Sequence, residues 1–136
     1  VRATLERVGR GADGGPSVSA RIRDAVLAWP GVTEEPHRFG GVEFRLGRRE
    51  LGHLHGDYLA DLPFPVRLRR QLVEEGRARP HHILPASGWV SYPIRDAADV
   101  PGALALFRLA YERALAQRER RPGGAADAPD DEAGPE

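Results

Sequence analysis

Four of the chain's five histidines fall in two short stretches, ELGHLHG at residues 50–56 and RPHHILPASGW at residues 79–89. An imidazole with an unperturbed pKa of about 6.5 exchanges protons at neutral pH, and its neutral nitrogen ligates transition metals. On a strand, alternation places His53 and His55 on one side together with Leu51, while Leu54 opposes them. If Leu54 is the core residue, the imidazoles face outward. If Leu51 points inward, both are buried and must find hydrogen-bond partners. The glycines at 47, 52 and 56 remove side chains around the pair, which suits a bulge or a surface that another molecule approaches closely. His81 and His82 are adjacent, so on an extended chain they face opposite ways and at most one joins His53 and His55.

Three kinds of chemistry fit this spacing. A neutral imidazole can act as general base beside an aromatic pocket. His-x-His on a strand can converge on zinc, copper or iron, with His82, Asp57 or Glu50 as third ligand. The plain alternative is a pair of strand histidines hydrogen-bonded to carboxylates or backbone. Trp89 and Ser91 belong with the candidates, because a strand with Val90, Tyr92 and Ile94 on its core face leaves an indole and a hydroxyl on the other side. Glu50 is a base or ligand candidate, or a partner of Arg48 or Arg49. Ser87 and Ser91 lack the GxSxG elbow of a hydrolase triad. There is no phosphate-cradling glycine loop.

The elements that must position these residues are marked by periodicity and punctuation. Ser17 or Ser19 caps a helix with Val18, Ile22, Ala25, Val26 and Trp29 on one face, and Pro30-Gly31 stops it. HRFGGVEFRLGRRELGHLHG at residues 37–56 alternates as a meander of two or three antiparallel strands. VRLRRQLVEEG at residues 66–76 is a short helix, with Leu68, Leu72 and Val73 inward. Its Arg67, Arg69 and Arg70 form a solvated face or a phosphate-contacting patch. WVSYPI at residues 89–94 is a strand, and Asp99 caps a long helix bearing Val100, Ala103, Leu104, Phe107, Ala110, Tyr111, Ala114 and Leu115. The expected order is α-β-β-β-α-β-α, an α+β fold with an antiparallel sheet packed by helices, with room for a further strand near Tyr58 or His82.

The 136-residue chain fits one domain. Residues 1–16 read as a flexible arm, residues 17–117 as the folded unit, and residues 118–136 as a disordered acidic tail. With no cysteine, thiolate catalysis and disulfides are excluded. The 20 basic residues are all arginine, balanced by 20 acidic ones, so no global field draws the protein to nucleic acid or an anionic membrane. No apolar run approaches the roughly 20 residues of a membrane span, and no signal core is visible. The expected location is cytoplasmic.

WPGVTEEPHRFGGVEFRLGRRELGHLHGDYLADLPFP, EEGRARPHHILPASGWVSYPIR and the helix ending FRLAYERAL together resemble the luciferase-domain family, named for fungal luciferases that act on a hydroxylated pyrone. The resemblance covers about residues 22–115. The layout of elements also looks like the double-wing α+β domains of the MmcQ/YjbR group, for which DNA binding has been suggested. The luciferase likeness implies addition of O2 to an electron-rich pyrone without flavin or an obligatory metal. It implies His53 and His55 as base and orienter, and His82 and Trp89 as pocket lining. The expected function is therefore binding of a small aromatic or pyrone-like molecule at a surface formed by His53, His55, Glu50, Asp57, His82, Trp89 and Ser91, with oxygenase-type chemistry. No cofactor is required by the sequence, and a His-ligated metal is the minor alternative. The competing expectation is a non-catalytic module binding DNA or protein.

Overall fold

A computed structural model describes residues 17–37 and 40–120. The first helix, α1 (Val18–Leu27), starts where the Ser17 hydroxyl accepts the Ala20 N–H at 3.1 Å, and buries Ile22 and Val26 one turn apart. Four strands follow: β1 (Val32–Pro36), β2 (Val42–Leu46), β3 (Arg49–His55) and β4 (Leu59–Pro63). Helix α2 (Val66–Glu74) leads to a two-residue strand β5 (Arg79–Pro80) and then to β6 (Trp89–Pro93). A 3-10 turn (Ala97–Asp99) opens into the long helix α3 (Val100–Arg120). The six strands form one antiparallel sheet in the order β1-β2-β3-β4-β6-β5.

The core lies between this sheet and α1 and α3. Helix α3 buries Ala103, Leu106, Phe107, Ala110, Tyr111 and Ala114, spaced three or four apart as one helical face requires. They meet Phe44, Leu54, Ala60 and Leu62 from the strands, with Phe107 edge-on to Phe44 at 5.5 Å. Tyr111 donates its hydroxyl hydrogen to the Pro30 carbonyl at 2.7 Å, tying α3 to the end of α1. Most core positions expected on α3 are correct. Leu104 and Leu115 pack at its margin, and Leu106 is the fully buried residue missing from the expected stripe.

The α+β class is as expected, but the element order is richer than α-β-β-β-α-β-α. Strand β1 was not anticipated, because VTEEP carries a single aliphatic side chain. It is an edge strand, held by pairing with β2 and by a bidentate contact from Arg23 on α1 to Glu34, at 2.9 and 2.7 Å. The further strand near Tyr58 is β4, and the short β5 lies beside His81 and His82. The cap before α3 is Asp96, whose carboxylate accepts the Ala98 N–H, whereas Asp99 accepts the N–H of Arg95. The expected arm at residues 1–16 lies outside the described residues. So does the expected tail beyond Arg120, and α3 itself runs past the anticipated boundary at residue 117.

A bulge in β3 decides which way the histidines point. Phe44 pairs with Gly52 and Arg45 with Glu50, so Leu51 is an extra residue on β3. The extra residue lets both Leu51 and Leu54 enter the core, an outcome that strict alternation did not offer. Gly52 sits at φ +154°, and a Cβ there would come within 3.0 Å of the Phe107 ring, the Asp61 carbonyl oxygen and Leu62. Its missing side chain makes room for α3 and β4, not for a ligand.

Candidate functional site

On the sheet face turned away from the core, alternation and register build a row of polar residues. Ala60, Leu62 and Val90 point into the core, so Asp61, Trp89 and Ser91 point the other way, as His53 does beside Leu54. The pairing places His53 opposite Asp61, Asp61 opposite Ser91, and Glu43 on the other side of His53. Asp61 is the centre of the row and is fully buried.

Four imidazoles aim their Nε2 atoms at one oxygen of this carboxylate. Asp61 Oδ2 lies 3.4 Å from His53, 3.1 Å from His55, 3.5 Å from His81 and 3.2 Å from His82. The other oxygen, Oδ1, accepts the Ser91 hydroxyl at 2.7 Å, which fixes the plane of the carboxylate. Burial alone would raise the Asp61 pKa. The hydrogen bonds from His53 and Ser91, the electrostatic attraction of the His81 ring N–H and the hydrogen bond from His82 outweigh it and hold the group well below the usual carboxylate range.

The fifth histidine completes the cluster. His37, at the end of β1, stacks on His53 with ring centroids 3.8 Å apart and meets His55 edge-on at 6.0 Å. Four of the five imidazoles in the chain therefore meet a single aspartate, and the fifth stacks on one of the four. Glu50 accepts a hydrogen bond from His53 Nδ1 at 2.7 Å, so His53 stands between two carboxylates. His81 Nδ1 accepts the backbone N–H groups of Ile83 and Leu84, both at 3.1 Å. That assigns its remaining ring proton to Nε2, facing Asp61.

Several expected site residues come together, namely His53, His55, His82, Glu50, Trp89 and Ser91. Three corrections accompany them. Asp57 stands apart: its Oδ1 accepts the Ser19 N–H at 2.8 Å, supporting the first turn of α1. Trp89 lies on the expected face but is 5% exposed, and packs beneath the rings of His53 at 5.5 Å and His81 at 6.0 Å. It is a floor, not an exposed wall. Both His81 and His82 join the cluster, because the chain curls at residues 81–84 instead of extending, which stacks the two rings at 4.3 Å. Arg69, one of the patch candidates on α2, donates to the carbonyls of Ser87 and Ala86 at 3.0 and 3.3 Å and so braces this loop.

Asp61 and His37 escaped sequence reasoning. The trace of Asp61 in the sequence is a lone carboxylate between Ala60 and Leu62. His37 directly follows β1, a strand too polar to recognise.

Two exposed apolar side chains form a rim beside the accessible imidazoles. Among the described residues, the large hydrophobic side chains left exposed are Tyr58, at 65%, and Ile83, at 71%. Tyr58 lies beside His55, with ring centroids 6.5 Å apart, and Ile83 follows His82. His53 and His81 are buried, His55 is 17% exposed and His82 is 45% exposed, so the accessible imidazoles are those nearest the rim. Among the described residues no helix is long and apolar enough to cross a membrane.

Residues 48–110 match the family model described as Luciferase domain, a segment that spans somewhat less than half of the chain and contains every residue of the cluster except His37. The match supports the luciferase-domain family. No curated protein and no solved structure matches the chain.

Proposed function

We propose that this protein is a luciferase-like member of the luciferase-domain family that binds a small hydroxylated aromatic or pyrone-type molecule at the His–Asp61 cluster. The reading is carried by one observation: four imidazoles surround a buried carboxylate, a fifth stacks on one of them, and exposed apolar side chains adjoin the accessible rings. Tyr58 and Ile83 take the ring of the ligand, where a flat apolar surface gains from leaving water. The acidic O–H of the ligand meets His55 and His82, the accessible bases, and Asp61 stabilises the imidazolium that forms when either takes the proton.

The reaction class that fits such a ligand is addition of O2. The deprotonated, electron-rich ring gives two electrons to O2, a carbon–oxygen bond forms, and the proton held on imidazole passes to the resulting peroxide. The ring is oxidised and O2 is reduced to the peroxide level, so no external reductant is needed. Exclusion of water by the buried floor of Trp89 and Ser91 suits an anionic intermediate.

The test is a thermal-shift panel of hydroxylated pyrones and phenols, run on wild type and on His55→Ala. A ligand that raises Tm of wild type, and whose effect is lost in the variant, supports the reading. A panel without effect on either protein overturns it.

A further inference from the structure

We infer that the cluster is a metal centre, in which His53 Nε2, His55 Nε2 and an Asp61 carboxylate oxygen hold one divalent first-row transition-metal ion and His82 closes the site from the rim. Ion binding stands by itself. Only the role of the ion in orienting an organic ligand rests on the function proposed above.

Geometry carries the inference first. Ligand atoms bound to such an ion at about 2.0–2.2 Å lie roughly 3.0–3.5 Å from one another. The His55 and His53 nitrogens lie 3.1 and 3.4 Å from Asp61 Oδ2, and the three ligand atoms lie within 4.8 Å of one another. Two imidazoles and one carboxylate on one side of an ion leave its other positions open, the arrangement that suits divalent iron or catalytic zinc. The His-x-His spacing on β3 supplies two nitrogens from one face, and the register with β4 supplies the oxygen.

The tautomers point the same way. Glu50 accepts from His53 Nδ1, so a neutral His53 carries its lone pair on Nε2, directed at the Asp61 carboxylate. With Nδ1 engaged by Glu50, Nε2 is the nitrogen that coordinates an ion shared with Asp61. Glu50 becomes the outer partner that orients a ligating imidazole, and Ser91 does the same for Asp61. His81 is excluded as a neutral ligand, because its Nδ1 lone pair is engaged by two backbone N–H groups. It holds the carboxylate instead.

The test uses the full chain, stripped with a chelator and titrated with Co2+ as a spectroscopic probe, then with Zn2+ and, anaerobically, Fe2+. Expected are one ion per chain by elemental analysis and d–d bands for Co2+. His55→Ala should lose at least 100-fold in affinity and Glu50→Gln 10- to 100-fold, with folding of each variant checked by circular dichroism. If either variant fails to fold, His82→Ala, at the exposed rim, is expected to weaken Co2+ and shift its bands. Absence of Co2+ bands at millimolar ion, or affinity unchanged in the folded variants, overturns the inference. Repeating the organic panel with and without chelator separates the two ideas, since ion binding without any organic ligand leaves this inference standing while the function above falls.

Discussion

Replacing Asp61 with asparagine tests whether one buried charge organises the whole cluster. The side chain keeps its shape, and Oδ1 can still accept from Ser91. The new NH2 group, however, stands where four imidazole nitrogens point, and it meets the Nε2–H of His81 donor to donor. Hydrogen bonds to a charged group contribute about 1.5–3 kcal/mol each, and removing one partner of a buried ionic network costs about 3–5 kcal/mol. Because asparagine retains part of the bonding, the expected loss is near the lower end, about 3 kcal/mol. With a urea m-value of about 1.5–3 kcal/mol/M, the unfolding midpoint falls by roughly 1–2 M. The assay is urea denaturation followed by the fluorescence of Trp29 and Trp89, with chelator present. The folded-state pKa of Asp61 is depressed, so its contribution is complete above the unfolded value of about 3.9 and is lost as pH falls through the folded one. The gap between wild type and Asp61→Asn should therefore narrow as pH falls below about 4. A gap under about 0.5 kcal/mol at pH 7, or one that keeps widening below about pH 4, would refute the reasoning.

Two further substitutions probe the frame that holds the site. Gly52→Ala adds a Cβ closer than 3.0 Å to the Phe107 ring, the Asp61 carbonyl oxygen and Leu62. Overpacking of this kind costs about 1–3 kcal/mol, so the melting temperature should drop by several degrees, and an unchanged Tm would mean that the bulge can relax. Tyr111→Phe removes the hydrogen bond to the Pro30 carbonyl, with an expected loss of about 0.5–1.5 kcal/mol in urea denaturation. A variant as stable as wild type would show that water replaces the hydroxyl there.

The helices were legible in the chain itself because their signals are local. Ser17 caps α1, Ile22 and Val26 repeat at the helical period, and the apolar stripe of α3 spells out its buried face. The suspicion that His53 and His55 share a side was also local, since alternation is a property of the strand alone. The same rule failed one residue earlier. Whether Leu51 turns inward depends on a bulge that exists only where β3 meets β2. Asp61 carries no signal of its own, and it becomes the centre because strand pairing sets His53 on one side of it and Ser91 on the other. Likewise His37 and His81 reach the cluster through a polar edge strand and a curled loop, whose shapes come from partners distant in sequence. Sequence by itself determined which residue types were available and which helices would form, because those follow from neighbours a few residues apart. Only the tertiary structure decided that five imidazoles and two carboxylates share one place, because register and loop closure are settled by contacts between segments far apart along the chain.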